Sequence, residues 1–291
     1  MIPKYDIGIV GGDNRQVYMV HYFLSKGYSV GTYEIPTPIT HEYCTVLSSL
    51  GELFSGSSVL VFPIPVSRDQ VRINAASTAE DLTLAEAVKL LSKDHLLFGG
   101  ILPPQITKAC EEKGIYYYDL MKDERITILN AIATAEGSIM EAIAASDINL
   151  HASKCLVLGY GRCAKVLAAK LKALDSHVLV AARSAEALAS AEAAGLSTVA
   201  FPYLKCILPS CDYIFNTVPS PILTHDCLDY VNKQVCIIDI ASAPGGLDYS
   251  YAEKLHLNAK LCLGLPGKVA PKTSADILAT TILTMIKERS D

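Results

Sequence analysis

Two turns in this 291-residue chain have residue types and spacing that suit anion chemistry. The sharper one is Leu158-Gly159-Tyr160-Gly161-Arg162-Cys163-Ala164, a G-x-G-x-x-A pattern that ends the apolar run KCLVLG. The first glycine of such a turn permits a tight strand-to-helix reversal. The second lets the main chain approach a pyrophosphate, and the small third residue keeps the helix against the sheet. The helix amino terminus then offers free N–H groups and a positive dipole end to the anion. Gly159, Tyr160, Gly161, Arg162 and Cys163 are therefore candidate dinucleotide contacts. A purely structural turn is the competing reading.

The next apolar run, SHVLVAARS, bears on which dinucleotide. Sites for NAD place a carboxylate on the ribose 2′-hydroxyl at the end of this strand, about 20 residues after the glycines. Here the position reads Ala182-Arg183-Ser184. A carboxylate would repel a 2′-phosphate, whereas Arg183 can pair with it and Ser184 can donate a hydrogen bond. Arg162 adds a second cation near the adenine end. The expectation is NADP(H) rather than NAD(H), with a solvated surface arginine as the alternative for Arg183. Two later strand ends, Asn216-Thr217-Val218-Pro219-Ser220 and Asp239-Ile240-Ala241-Ser242, should face the nicotinamide, because ligands of open α/β sheets bind outside the carboxyl ends of the strands. Thr217, Val218, Pro219 and Ala241 join the cofactor set, and Asp239 reads as a buried structural carboxylate.

The second turn is IGIVGGDNRQ near the amino terminus. It lacks a third glycine and carries Asp13 and Arg15 where phosphates would lie. With the cofactor role filled elsewhere, its amides and Arg15 are expected to receive a substrate carboxylate, with Asp13 fixing the turn or the arginine. A structural Asp13–Arg15 salt bridge is the alternative. Lys272, after Pro271 at the start of the last helix, is either an anion ligand or a solvated lysine. Glu136 is either a proton carrier or an acid that stabilises a helix dipole from its first turn. Ser220 and Ser242 could donate hydrogen bonds to a bound ring. With Glu136 and Lys272 they make up the expected catalytic set. His225 reads as a partly exposed side chain.

These residues need a scaffold, and the chain predicts one. Short apolar runs alternate with helical patterns throughout, the mark of parallel sheets with crossover helices. YDIGIVGG, YSVGTYE, SSVLVFPIP, HLLFGGIL and IYYYDL read as one strand series; KCLVLG, SHVLVAAR, AFPY, YIFNTVP, QVCIIDIA and LCLGLP as another. The predicted organisation is a substrate-side Rossmann-like domain over 1–127 and a connecting helix within 128–150. An NADP-binding Rossmann domain follows over 151–268, and 269–291 forms a closing helix that packs back on the first domain. Thr134 is expected to cap a connecting helix that begins near Ala135.

Composition sets bounds on function. Hydrophobic residues make up 51% of the chain, charged residues 19%, and the formal net charge is −5, which gives no basic footprint for nucleic acid. Nine cysteines are scattered without a C-x-x-C pair, and several sit in apolar runs. That pattern fits small hydrophobes in a reducing cytosol and predicts neither a disulfide framework nor a metal site. No apolar run reads as a bilayer span or signal peptide, so a cytoplasmic protein is expected.

The set GGDNRQ, TAEGSIM, LGYGRCA, AARS, NTVPS, DIASAPGGLDYSYAEK and GLPGKVAPKTSADIL resembles the A-subunit family of dipicolinate synthase. The resemblance runs nearly end to end. GGDNRQ, ASAPGGLDY and GLPGKVAPKT are its most specific parts, since generic Rossmann proteins lack them. Cys163 departs from an expected threonine and Ala133 from an expected proline, but neither changes a charge. The resemblance implies NADP-dependent formation of pyridine-2,6-dicarboxylate from a cyclic lysine-pathway intermediate. It also implies that the partner is a flavoprotein-like B subunit. The implied setting is the mother cell of a sporulating bacterium, with a homo-oligomer left open. The rival readings are an NADP-dependent dehydrogenase of another small carboxylic acid and a non-catalytic nucleotide-binding subunit.

Overall fold

A computed structural model describes residues 4–290. The chain divides into two compact units: domain one up to Thr127 together with the segment from Ala270, and domain two over Ile128–Val269.

Domain one carries β1 (Tyr5–Val10), α1 (Asn14–Ser25), β2 (Val30–Tyr33), β3 (Cys44–Val46), α2 (Leu50–Gly56), β4 (Ser57–Val61), α3 (Leu84–Leu90), β5 (Leu96–Gly99), α4 (Pro104–Lys113) and β6 (Tyr116–Asp119). The strands form one parallel sheet in the order β3-β2-β1-β4-β5-β6. Central strands such as Ile7–Val10 and Val59–Val61 are buried on both faces, as a parallel sheet covered by helices requires. α5 (Glu124–Ala144) then leads into domain two.

Domain two repeats the plan. It contains β7 (Lys154–Leu158), α6 (Arg162–Ala173), β8 (His177–Ala182), α7 (Ala185–Ala193), β9 (Ser197–Ala200), α8 (Leu204–Ile207), β10 (Tyr213–Asn216), α9 (His225–Leu228), β11 (Cys236–Asp239), α10 (Tyr249–Lys254), β12 (Asn258–Leu261) and α11 (Leu265–Val269). Its parallel sheet runs β12-β11-β10-β7-β8-β9. Read from either end, both sheets have the doubly wound order 3-2-1-4-5-6, with the direction of winding reversing between the first and fourth strands.

The last helix, α12 (Pro271–Ser290), belongs to domain one. Its Ala275, Leu278, Ala279 and Ile282 are buried in one cluster with Met19, Val20 and Phe23 of α1. The Tyr22 hydroxyl meets Thr280 Oγ1 at 2.9 Å. The apolar positions of ADILATTIL recur at helical spacing, so one stripe of α12 covers α1, as the sequence predicts.

Three local expectations change. The connecting helix begins eleven residues earlier than predicted, at Glu124, because Asp123 starts it: its Oδ1 accepts the Ile126 N–H at 2.9 Å. Thr134 is therefore not a cap. Its hydroxyl donates to the Asn130 carbonyl one turn back (3.0 Å), an alternative use of a mid-helix threonine. The AFPY strand ends at Ala200, and Phe201–Tyr203 turns as a 3₁₀ segment around Pro202, which cannot donate to a ladder. The short β3, the helices α2 and α4, and α8 to α11 of domain two are additional to the predicted elements.

α5 alone among the described helices is long and apolar enough to cross a membrane. Ala135 and Ala142 on one of its faces lie in the core of domain two, as in a core helix. Burial also explains the thiols: it pushes Cys155 and Cys236 up to about 11, which makes them inert small hydrophobes.

Leu278 is fully buried at the α1–α12 contact. Leu278→Ala should cost about 2–5 kcal/mol, read as a lower urea midpoint for the domain-one transition.

Candidate functional site

The glycine turn of domain two has the form its sequence predicts. Gly159 follows β7 with φ +90°, a left-handed conformation, and a Cβ there would lie 2.7 Å from Thr217 Oγ1. The Gly159 amide is fixed by the Ala181 carbonyl at 2.8 Å. Gly161 is the N-cap of α6, and no side chain caps the helix. The space where a Gly161 Cβ would stand is open. Ala164 is fully buried against the sheet. The result is an uncapped helix amino terminus beside open space, which suits an anion. Cys163 lies just inside the helix; burial raises its thiol above the usual range, partly offset by a hydrogen bond with Thr134. Tyr160 packs on the domain core with Lys165 over its ring.

The two neighbouring strand ends are held by a buried carboxylate. Asp239 Oδ1 accepts from Asn216 Nδ2 (2.9 Å) and the Ala241 amide (3.0 Å). Its Oδ2 accepts from the Gly246 amide (2.7 Å) and the Tyr249 hydroxyl (2.8 Å). Asn216 in turn ties both ends of Val218: Nδ2 donates to its carbonyl and Oδ1 accepts its amide, each at 3.1 Å. Thr217 Oγ1 donates to the Leu158 carbonyl at 2.8 Å, joining this loop to the end of β7. Gly246 packs so closely that a Cβ there would overlap Asn216 Nδ2. Burial and the bond to Asp239 push the Tyr249 phenol above its ordinary range, so it stays a donor. Asp239 is thus structural, as read from sequence. Tyr249 is the residue that reading missed, and its signal is the tyrosine that closes GGLDY.

Arg183 stands exposed immediately after β8 and makes no ion pair among the described residues. Ser184 caps α7, accepting the Ala187 amide at 3.2 Å, which leaves its hydroxyl hydrogen free to donate. Arg162 is exposed at the first position of α6. Ser220 and Ser242 are exposed in the loops that follow β10 and β11, and Pro219 and Ala241 precede them. All these residues lie at the carboxyl edge of one sheet.

In domain one the GGDNRQ turn is already occupied by its own chain. The Gly11 amide donates to the Tyr33 carbonyl (2.9 Å) and the Gly12 amide to the Asn74 carbonyl (2.7 Å). Asp13 caps α1, and Gln16 closes a capping box by accepting the Asp13 amide at 2.8 Å. Gly12 has φ +88°, and any Cβ there would overlap the Gln16 side chain. Arg15 is buried and forked onto Asp13, Nε to Oδ1 at 2.9 Å and Nη2 to Oδ2 at 2.7 Å. Nη2 also donates to the Ile64 carbonyl. The turn amides and Arg15, expected to receive a carboxylate, are here engaged by the chain's own groups, and the Asp13–Arg15 salt bridge of the alternative reading is formed.

Two further expectations meet other partners. Glu136 lies three turns inside α5, not in its first turn, and pairs with Lys170 at 2.9 Å. The helix-dipole reading is thereby removed. Lys272 is in the first turn of α12, where Asp276 one turn on compensates it at 3.0 Å. Both pairs are largely solvated and so weakly held. His225 is exposed beside Asp226 at 2.8 Å. Among the described residues, no three His, Cys, Asp or Glu side chains gather as a metal set.

Residues 6–121 match the family described as the N-terminal domain of the dipicolinate synthase A-subunit. Residues 125–243 match the D-isomer specific 2-hydroxyacid dehydrogenase, NAD binding domain. The dipicolinate synthase A-subunit of Bacillus subtilis (strain 168) is 31% identical over 300 aligned positions, covering 99% of this chain and 98% of that protein. The chain belongs to the dipicolinate synthase A-subunit family. Crystal structures of the family members from Bacillus halodurans and Bacillus subtilis superpose with TM-scores of 0.88 and 0.85, at 27% and 29% identity. The first covers 98% of both chains; the second covers 99% of this chain and 97% of the other. The transhydrogenase from Sinorhizobium meliloti shares the fold alone, with TM-score 0.66 at 14% identity over 97% of this chain and 94% of that one. The family read from the motifs is thus the family found. Its second domain is a nicotinamide-dinucleotide domain of dehydrogenase type, which makes the chain a dehydrogenase-like oxidoreductase.

Burial opposes ionisation of Asp13, but the hydrogen bonds and charge of Arg15, with the charge of Arg68, outweigh it and hold the carboxyl below its ordinary 3.8. A depressed folded pKa gives stability that is present above the unfolded value and lost as pH falls through the folded one. Asp13→Asn should therefore match the wild type in strong acid and fall behind it as pH rises through about 4, as read from urea midpoints across that range.

Proposed function

We propose that this protein is the NADP-dependent component of a dipicolinate synthase, oxidising a cyclic hydro-dipicolinate to pyridine-2,6-dicarboxylate in partnership with a separate B subunit. The observation that carries this reading is the pairing of an open, uncapped glycine turn with an unpaired Arg183 where an NAD site keeps an acid, in a chain of this family.

The domain-two residues fit the cofactor. The N–H groups at the start of α6 would hold the pyrophosphate, with room for it beside Gly161. Arg183 and the hydroxyl hydrogen of Ser184 would hold a 2′-phosphate, with Arg162 as a second cation. Thr217, Val218, Pro219 and Ala241 sit on loops made rigid by Asp239 and Asn216, so their positions are set before any ligand arrives. NADP, when bound, supplies the hydride acceptor.

The substrate side follows from the reaction. Converting a hydroxylated tetrahydro ring to the pyridine removes a water, a hydride and a proton, and aromatic stabilisation drives it forward. The chain must hold two carboxylates and a flat ring and take up the proton. Ser220 and Ser242, whose hydroxyls bond nothing among the described residues, are donors for the ring or a carboxylate. Glu136 and Lys272 can serve only by leaving Lys170 and Asp276, which exposed pairs do at little cost. Sporulation in a mother cell is the setting this product implies.

Purified protein with NADP+, the cyclic intermediate and a B subunit should generate the absorbance of pyridine-2,6-dicarboxylate; its absence under those conditions would count against the reading. Arg183→Ala removes a charged hydrogen-bond donor. It should weaken NADPH binding roughly tenfold or more while leaving NADH binding little changed, as followed by nucleotide fluorescence. Equal losses for both nucleotides would remove the NADP assignment.

A further inference from the structure

Domain one has a topological switch point of its own, between β1 and β4. The chain leaves β1 through the GGDNRQ turn and leaves β4 through a long segment that returns as α3. Ligands of open α/β sheets bind outside the carboxyl ends of the strands at such a point. Arg15 is the obvious cation there by sequence, but it is buried, forked onto Asp13 and bonded to Ile64.

The segment after β4 is tied to the turn at two places. The Ile64 carbonyl accepts from Arg15, and the Asn74 carbonyl accepts the Gly12 amide at 2.7 Å. Between these anchors the chain is fixed by its own bonds. Val66 donates to the Gly100 carbonyl at 3.0 Å and accepts the Asn74 amide at 2.8 Å. Asp69 Oδ1 gathers the Ser67 hydroxyl (3.0 Å) and the Val71 and Arg72 amides (each 2.8 Å). Arg72 is bent onto the Ala79 carbonyl. Arg68, midway between the anchors, is exposed, and its side chain makes no hydrogen bond or ion pair among the described residues. Its charge still reaches Asp13.

From this arrangement we propose that Arg68 is the domain-one residue that binds a carboxylate of the substrate, and that the Asp13–Arg15 pair is the fixed base against which it is presented. Charge and entropy both favour it. Arg15 is paired with Asp13 and Arg72 is bent onto the Ala79 carbonyl, so Arg68 is the guanidinium of these two segments without a bond partner among the described residues, and its planar fork matches a carboxylate. Because the backbone on either side is already anchored, binding orders only this one side chain.

The inference rests on the dipicolinate reading, and one experiment separates the two. Calorimetric titration with pyridine-2,6-dicarboxylate and fluorescence titration with NADPH are run on the full chain, on Arg68→Ala and on Arg68→Lys. Arg68 is exposed, so an unchanged melting curve certifies the fold of each variant. The expected result is at least tenfold weaker dicarboxylate binding for Arg68→Ala, partial recovery for Arg68→Lys, and unchanged NADPH binding in both. If the wild type binds the dicarboxylate and Arg68→Ala binds it equally well, the inference is overturned while the functional reading stands. A wild type that binds NADPH but no pyridine dicarboxylate overturns both.

Discussion

Both domains depend on one constraint, the reversal of winding direction in a parallel sheet. Where consecutive connections leave neighbouring strands toward opposite faces, the loops diverge and the carboxyl ends of the strands stay open. β1 and β4 create that opening in domain one, and β7 and β10 create it in domain two. Gly159, Arg183, Asp13 and Arg68 all lie just beyond the carboxyl ends of strands in these sheets, whereas Glu136 and Lys272 lie within helices. The helices and apolar strands behind them are what keep the edges in place.

The two openings differ in structure because their acids are placed differently. In domain two, Asp239 collects four donors from Asn216, Ala241, Gly246 and Tyr249. That hub binds two loops into one unit without touching the glycine turn, so the amino terminus of α6 stays free. In domain one, Asp13 caps α1 itself and engages Arg15, so the corresponding helix start is closed by its own residues. Arg15 is buried while the Asp13 carboxylate is partly exposed, so the pair is half-buried and holds the turn from the edge of the core.

Membership of the dipicolinate synthase A-subunit family spans both domains. An open dinucleotide turn accounts for the dehydrogenase likeness of residues 125–243, and the segment tied to GGDNRQ falls inside the family's own N-terminal domain, 6–121.

Much of this could be read from the sequence. Period and apolar runs predict two parallel sheets, because strands buried on both faces must be continuously hydrophobic. G-x-G-x-x-A with Arg183 predicts the dinucleotide turn, because a tight reversal and close backbone approach restrict residue type locally. The family motifs are local for the same reason. Partnership between distant residues was not legible. Thr134 looked like a cap because nothing in its neighbours announces that Asp123 has already begun the helix. Arg15 looked like a ligand because its bond to the Ile64 carbonyl spans 49 residues of sequence. Glu136 and Lys272 looked available, yet Lys170 and Asp276 lie beside them. Sequence determines which groups are present and which local conformations they favour. Only tertiary structure decides which of those groups are already satisfied, because hydrogen bonds and ion pairs are made across space.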